Sequence, residues 1–250
     1  PQTSWVSQET GDSVTFDLGE TRRFRMTYYG GICNTNFTVS LSNDGLEWTT
    51  PYYANYDQGE IFRWLRYTPL DENGKTVMQS TEPRDDGGAY TAFSGYEGES
   101  APFQRARYVR IAAAAPGLTL SEIAFQDENG DPYPVQIASA AHDGEALIDE
   151  QDTVPAYPSY YNSTYFDEIY HARTAYEHLH GMSTYEWTHP PLGKVLMMVG
   201  IRLFGMTPFG WRFMGALMGV LMLPVMYLLT SQLTKSRKLS FVAMFLLAVD

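Results

Sequence analysis

The sequence predicts a multi-domain chain, an all-β sandwich followed by an α-helical membrane segment. Three observations predict it. Charge is unevenly spread: residues 1–180 hold 11 basic and 27 acidic groups and residues 181–250 hold 6 and 2, so the net −12 divides into −16 and +4. Short runs of alternating hydrophobicity, separated by Gly, Asn and Asp, fill the first half. Phe213–Leu233 is a run of 21 residues without a charge, about 31 Å of helix at 1.5 Å per residue and long enough to cross a bilayer.

The expected strands are Ser13–Leu18, Arg23–Tyr29, Phe37–Ser42, Ile61–Tyr67, Arg107–Ala112 and Leu120–Gln126. Between them lie Gly30-Gly31, Asn43-Asp44-Gly45, Asn73-Gly74 and Gly87-Gly88, residues that tolerate the positive φ of tight turns. Glu82–Gly98, rich in Gly and acids, reads as a surface loop. These strands define a domain over residues 1–137. Ala138–Tyr161 lacks apolar periodicity and contains Pro155 and Pro158, so residues 138–161 read as an extended linker. The acidic front half excludes nucleic acid as a partner, because phosphate binding needs a basic face. Cys33 is the single cysteine, so no internal disulfide framework exists. The sequons at Asn36 and Asn162 are pattern matches and receive no role.

Four stretches, in order, carry a resemblance: Phe16-Asp17-Leu18-Gly19, Ser42-Asn43-Asp44-Gly45-Leu46-Glu47-Trp48, Ala106-Arg107-Tyr108-Val109-Arg110-Ile111 and Leu120-Ser121-Glu122-Ile123. They resemble the discoidin (F5/8 type C, galactose-binding-like) family. The resemblance implies an eight-stranded jelly-roll sandwich of a kind that often binds glycans or lipid headgroups. The matched residues are strand, turn and core positions, so they support a fold and name no ligand.

From Tyr165 to His180 the pattern becomes helical, with Phe166, Ile169, Tyr176 and Leu179 near one face and Gly181 placed as a C-cap. Trp187 and neighbouring tyrosines suit a membrane–water interface. Leu192–Phe204 is apolar, interrupted by Lys194 and Arg202, and too short to span; it reads as an amphipathic helix at the outer surface. Lys235, Arg237 and Lys238 follow the spanning helix. The positive-inside bias therefore makes residues 235–238 cytoplasmic and residues 1–211 extracytoplasmic. Gly215 and Gly219 form a GxxxG that suits either a packing face or the general frequency of glycine in membrane helices. Leu239–Val249 is half a span, so the chain reads as an excerpt of a longer, multi-pass membrane protein.

Chemically able residues gather on the outer side. Asp167 and Glu168 are adjacent, four of the five histidines fall within 171–189, and Arg212 opens the spanning helix. Neighbours on a helix point about 100° apart, so one acid of the pair faces the chemistry while the other orients or pairs. Both acids also suit a helix N-terminus. Arg212 either snorkels to headgroups or binds an anion. Asp167, His171 and His178 share a helical face, a spacing that makes a weak metal set without a second cluster; no metal site is expected.

Tyr165-Phe166-Asp167-Glu168-Ile169-Tyr170, then Thr188-His189-Pro190-Pro191-Leu192-Gly193-Lys194, then Phe209-Gly210-Trp211-Arg212-Phe213 resemble the protein O-mannosyltransferase family (glycosyltransferase family 39, GT-C fold). On that resemblance residues 162–250 are an extracytoplasmic loop and membrane helices of an incomplete GT-C fold. Asp167 is the catalytic base and Glu168 its partner; Arg212, with His189 and Lys194, holds the donor phosphate. The implied reaction moves a sugar, mannose by the family's habit, from a polyprenyl-phosphate carrier to a protein Ser/Thr hydroxyl or other acceptor, with inversion. The partners are membrane lipid, the lipid-linked donor and a protein or glycan acceptor, with no cofactor required. Residues 1–250 alone are expected to be inactive. The alternative is a membrane-anchored glycan-binding or adhesion module without catalysis.

Overall fold

A computed structural model describes residues 1, 3–32, 35–56, 61–77 and 103–249, in two compact units, Pro1–Ile169 and Tyr170–Asp250. Cys33, Gly87-Gly88 and the expected loop Glu82–Gly98 lie outside the described residues.

Among the described residues the first unit is an antiparallel β-sandwich of eight strands: β1 (Trp5–Val6), β2 (Ser13–Gly30), β3 (Phe37–Ser42), β4 (Tyr52–Tyr53), β5 (Trp64–Arg66), β6 (Gln104–Ala113), β7 (Thr119–Gln126) and β8 (Gln136–Ala140). The order along the sheet is β1-β7-β2-β6-β3-β4, with β5 and β8 also paired to β2. The two runs expected as Ser13–Leu18 and Arg23–Tyr29 are one long strand. Its first half pairs with β6 and β8 (Val14 opposite Ile111 and Ala140), and its second half with β7 and β5 (Tyr28 opposite Ile123 and Leu65). The register shifts between Asp17 and Arg22, where Gly19 takes φ +80° and donates its N–H to Asp17 Oδ1 at 2.8 Å. This bulge lets one strand serve both faces. Arg107 grips the same aspartate with two bonds of 2.9 Å, holding the Asp17 carboxyl below the usual range. Phe16, Phe24 and Phe125 meet edge-on at 5.3 and 5.2 Å and are fully buried, as the inward positions of a sandwich require.

The segment expected to be an extended linker packs on the sandwich instead. β8 runs into it, 3₁₀ turns form at Gly144–Leu147 and Gln151–Thr153, and Leu147 is fully buried. Gln126 Nε2 donates to the Pro155 carbonyl at 2.9 Å, Arg66 to the Ala156 carbonyl at 2.8 Å, and Trp64 N–H to Ser163 Oγ at 2.9 Å. Polar side chains of the strands capture carbonyls of the returning chain, so the segment docks without the apolar period that would have announced it.

Glu122 on β7 is fully buried, and burial pushes its carboxyl up to about 7 although Gln151 and the Glu150 N–H donate to it. A carboxyl raised in the folded state contributes stability fully present below its unfolded pKa of about 4.5, and that contribution is lost as pH rises through about 7. The sandwich is therefore expected to melt lower at pH 8 than at pH 5. The loss is up to about 3 kcal/mol before solvent screening reduces it. Thermal melts of Glu122→Gln should show a flatter pH profile across that window; an unchanged slope assigns the dependence to another group.

The second unit comprises most of α1 (Glu168–Leu179), then α2 (Pro191–Phe204), α3 (Pro208–Thr234) and α4 (Arg237–Val249). α1 ends in a Schellman motif: Gly181 takes φ +65° and Met182 N–H returns to the Glu177 carbonyl at 2.9 Å. Thr207 caps α3 by accepting from Gly210 N–H at 3.1 Å, and Pro208 follows at the first turn. Ala172 and Ala175 of α1 pack with Ile201 and Trp211. α3 alone among the described residues is long and apolar enough to cross a membrane, and none of its most apolar window is buried in protein.

Close helix approach occurs at Gly200, where an added Cβ would collide with the Gly210 carbonyl, whereas Gly215 and Gly219 meet nothing within 4 Å. The expected GxxxG thus packs against no described residue. Gly200→Ala is expected to cost about 1–3 kcal/mol by forcing α2 and α3 apart, and Gly219→Ala almost nothing. Thermal unfolding in detergent separates the two.

Candidate functional site

The acidic pair belongs to the first unit and divides its work as the helix start dictates. Tyr165 N–H donates to Glu168 Oε2 at 3.1 Å, three residues ahead, the reciprocal half of a capping box. Phe166, between them, takes φ +49°, a left-handed conformation costly for a residue with a Cβ. This turn leaves Asp167 exposed at the threshold of α1, with no hydrogen bond or ion pair to its carboxylate among the described residues. Immediately before it in the chain, Tyr160, Tyr161, Tyr165 and Phe166 are exposed and form a run of neighbouring rings, with centroids 4.2, 5.9 and 6.3 Å apart.

The remaining expected residues belong to the second unit. His189 and Lys194 do converge on one anion, and that anion is the protein's own Glu186. Lys194 is buried; its ammonium donates to Glu186 Oε2 and, at 3.1 Å, to the Glu186 carbonyl. His189 Nδ1 lies 3.2 Å from Glu186 Oε1, which also accepts from the Thr188 N–H and hydroxyl. The Lys194 ammonium above all, then Thr188, hold the Glu186 carboxyl well below the usual range. Arg212 is half-buried in the first turns of α3, its guanidinium 6.0 Å from the centre of the Trp211 ring.

Glu186 escaped sequence reasoning, which followed the histidines and the adjacent acid pair. The available signal was Lys194, a cation within an apolar helix that needs a carboxylate near it. The structure also explains how Glu186 is aimed. Arg173 and Glu177 form a buried i,i+4 ion pair at 2.8 Å. Glu177 Oε2 accepts from Tyr185 N–H at 2.7 Å, Arg173 lies 3.9 Å from the centre of the Tyr185 ring, and Tyr170 stacks on that ring. The residue before Glu186 is thus clamped to α1.

Next to this cluster lies a cavity of about 350 Å³, within the size range of small-ligand sites. His171, His189 and Lys194 line it together with Met197, Met214 and Met218. It is an apolar chamber edged by imidazoles and one neutralised ammonium.

The chain is similar over part of its length to curated proteins of one kind. The polyprenol-phosphate-mannose–protein mannosyltransferase of Mycobacterium tuberculosis (strain ATCC 25618 / H37Rv) is 35% identical over 91 residues, covering 34% of this chain and 17% of the relative. Protein mannosyltransferases are homologues of this chain. Proteins of the same name from Mycolicibacterium smegmatis (32% over 91 residues, 34% of this chain and 18% of the relative) and Corynebacterium glutamicum (39% over 62 residues, 25% and 12%) also match. The chain spans less than a fifth of the length of these mannosyltransferases. No family model matches. Among solved structures, CpGH89CBM32-6 produced by Clostridium perfringens gives a TM-score of 0.29 at 20% identity, over 50% of this chain and 77% of that one. A pectin binding carbohydrate binding module gives 0.27 at 15%, over 50% and 72%.

Proposed function

We propose that this chain is part of a membrane glycosyltransferase that moves mannose from a polyprenyl-phosphate carrier to a protein hydroxyl on the extracytoplasmic side, with inversion at the anomeric carbon. The homologous mannosyltransferases support the reaction class, and the exposed, uncommitted carboxylate of Asp167 carries the mechanistic reading. The acceptor oxygen attacks C1 of the mannosyl group as its proton passes to Asp167, and the bond from C1 to the phosphate oxygen breaks. Polyprenyl phosphate leaves with the bonding electrons. Phosphate is a good leaving group, so the enzyme needs a cation at the developing charge more than a strong acid. Arg212 supplies that cation. Lys194 and His189 act through Glu186 at the edge of the cavity, which takes the first prenyl units against its methionines. Glu168 keeps Asp167 in place by fixing the helix start.

The charge asymmetry around α3 supports the orientation, with residues 1–211 outside and 235–238 inside. The test is mannosyl transfer from polyprenyl-phosphate-mannose to an acceptor peptide by Asp167→Asn in the full-length protein, with membrane insertion measured in parallel. Loss of transfer with insertion kept supports the reading. Full activity would overturn it and favour a glycan-binding module, for which the exposed rings of Tyr160, Tyr161, Tyr165 and Phe166 offer stacking surfaces.

A further inference from the structure

We propose that His171, Glu186 and His189 form a binding site for a divalent transition metal of the zinc type, with Lys194 holding the carboxylate ligand in place. One ligand atom from each of the three lies within 4.8 Å of the others. Two imidazoles and one carboxylate are a ligand set that zinc accepts in three-ligand sites with an open fourth position. Metal bonds of about 2.0–2.2 Å would bring these atoms to about 3.4 Å from one another, so binding would draw the three side chains closer than they stand here. Their rings already meet edge-on with centroids 5.0 Å apart.

The carboxylate is prepared for this role from both sides. The clamp of Glu177 on Tyr185 N–H fixes the backbone one residue before Glu186. The ammonium of Lys194 occupies Oε2, and Oε1 lies on the side of His189, where it also accepts from the Thr188 N–H and hydroxyl. Carboxylates that ligate metals are ordinarily held by outer-shell hydrogen bonds, which the Lys194 ammonium supplies here. The sequence-based set of Asp167, His171 and His178 shares only His171 with this group, and His178 is exposed and outside it.

Charge balance gives the site a purpose. Glu186 and Lys194 cancel, so the edge of the cavity carries no fixed excess charge of its own from that pair. A divalent ion between the histidines, both of which line the cavity, would present positive charge and an open coordination position to whatever enters it. An oxyanion such as a phosphate fits that position; this last step rests on the proposed reaction, whereas the metal site does not.

The probe is metal alone. The full chain in detergent, stripped with a chelator, is titrated with Zn²⁺ by calorimetry and with Co²⁺ by visible absorption. We expect one equivalent bound per chain with an intense tetrahedral cobalt spectrum, weakened at least tenfold in His171→Ala and in His189→Ala and retained in His178→Ala. Circular dichroism of the two histidine variants verifies that they fold. Glu186→Gln should weaken binding as well, but it also strands Lys194, so the histidine variants decide. No stoichiometric binding, or binding that survives both histidine changes, overturns the site. Mannosyl transfer by Asp167→Asn is a separate readout, so either proposal can fail without the other.

Discussion

Replacing Asp167 by asparagine is expected to lower mannosyl transfer by about 10²–10⁴-fold, the usual contribution of a positioned general base. The change should leave thermal stability within about 0.5 kcal/mol, since it is exposed and bonds to nothing that holds the fold. Its neighbour is expected to behave in the opposite way. Glu168→Gln keeps an oxygen for the Tyr165 N–H but loses the charge that favours the helix N-terminus. It should cost about 0.5–1 kcal/mol and a modest, temperature-dependent fraction of the rate. Transfer assays on the full-length protein, paired with melting curves of each variant, measure both quantities. If Glu168→Gln were the silent one in stability and the severe one in rate, the roles of the two carboxylates would be exchanged. The strained φ of Phe166 belongs to the same device: it turns the chain so that consecutive acids, one helix position apart, serve different ends.

Long, regular elements were legible in the sequence because one physical signal specified each of them. Phe37–Ser42 alternates cleanly and forms β3 with the expected bounds; the charge-free run from Phe213 forms the interior of α3; Gly181 ends α1 as its missing side chain allows. Where two signals competed, the reading was less complete. Gly19 looked like the end of a strand, yet with Asp17 as partner it makes a bulge inside β2. Residues 138–161 looked like a linker because their docking uses carbonyls that accept from Gln126 and Arg66, and backbone acceptors leave no trace in residue type. The site followed the same division. The acidic pair was conspicuous as adjacent charges, but the partner of Lys194 lies eight residues earlier, in the loop before α2, so no single helical or strand period runs through both. Its position depends on Tyr185, whose backbone N–H is claimed by Glu177, a contact that a one-dimensional pattern does not contain.

That contact yields the largest expected effect on stability. Glu177→Ala should destabilise the second unit by about 3–5 kcal/mol, because it leaves the Arg173 guanidinium buried without its counter-charge. At a few degrees per kcal/mol for a chain of this size, the melting temperature should fall by about 10 °C. Replacing both partners, Arg173→Leu with Glu177→Met, should recover much of the loss, since apolar residues of similar volume remove both desolvation penalties together. The recovery would be partial. The Tyr185 N–H would still lack its acceptor and the Tyr185 ring its cation, and a hydrogen bond to a charged group contributes about 1.5–3 kcal/mol. The double variant thus separates two functions of the pair. Stability should return with apolar packing, whereas the placement of Glu186 should not, because only a carboxylate at position 177 holds the loop by its backbone. Calorimetric melting measures the first, and zinc affinity of the double variant measures the second: recovered stability with weakened metal binding means that the ion pair exists to aim Glu186, and equal recovery of both means that it merely fills the core.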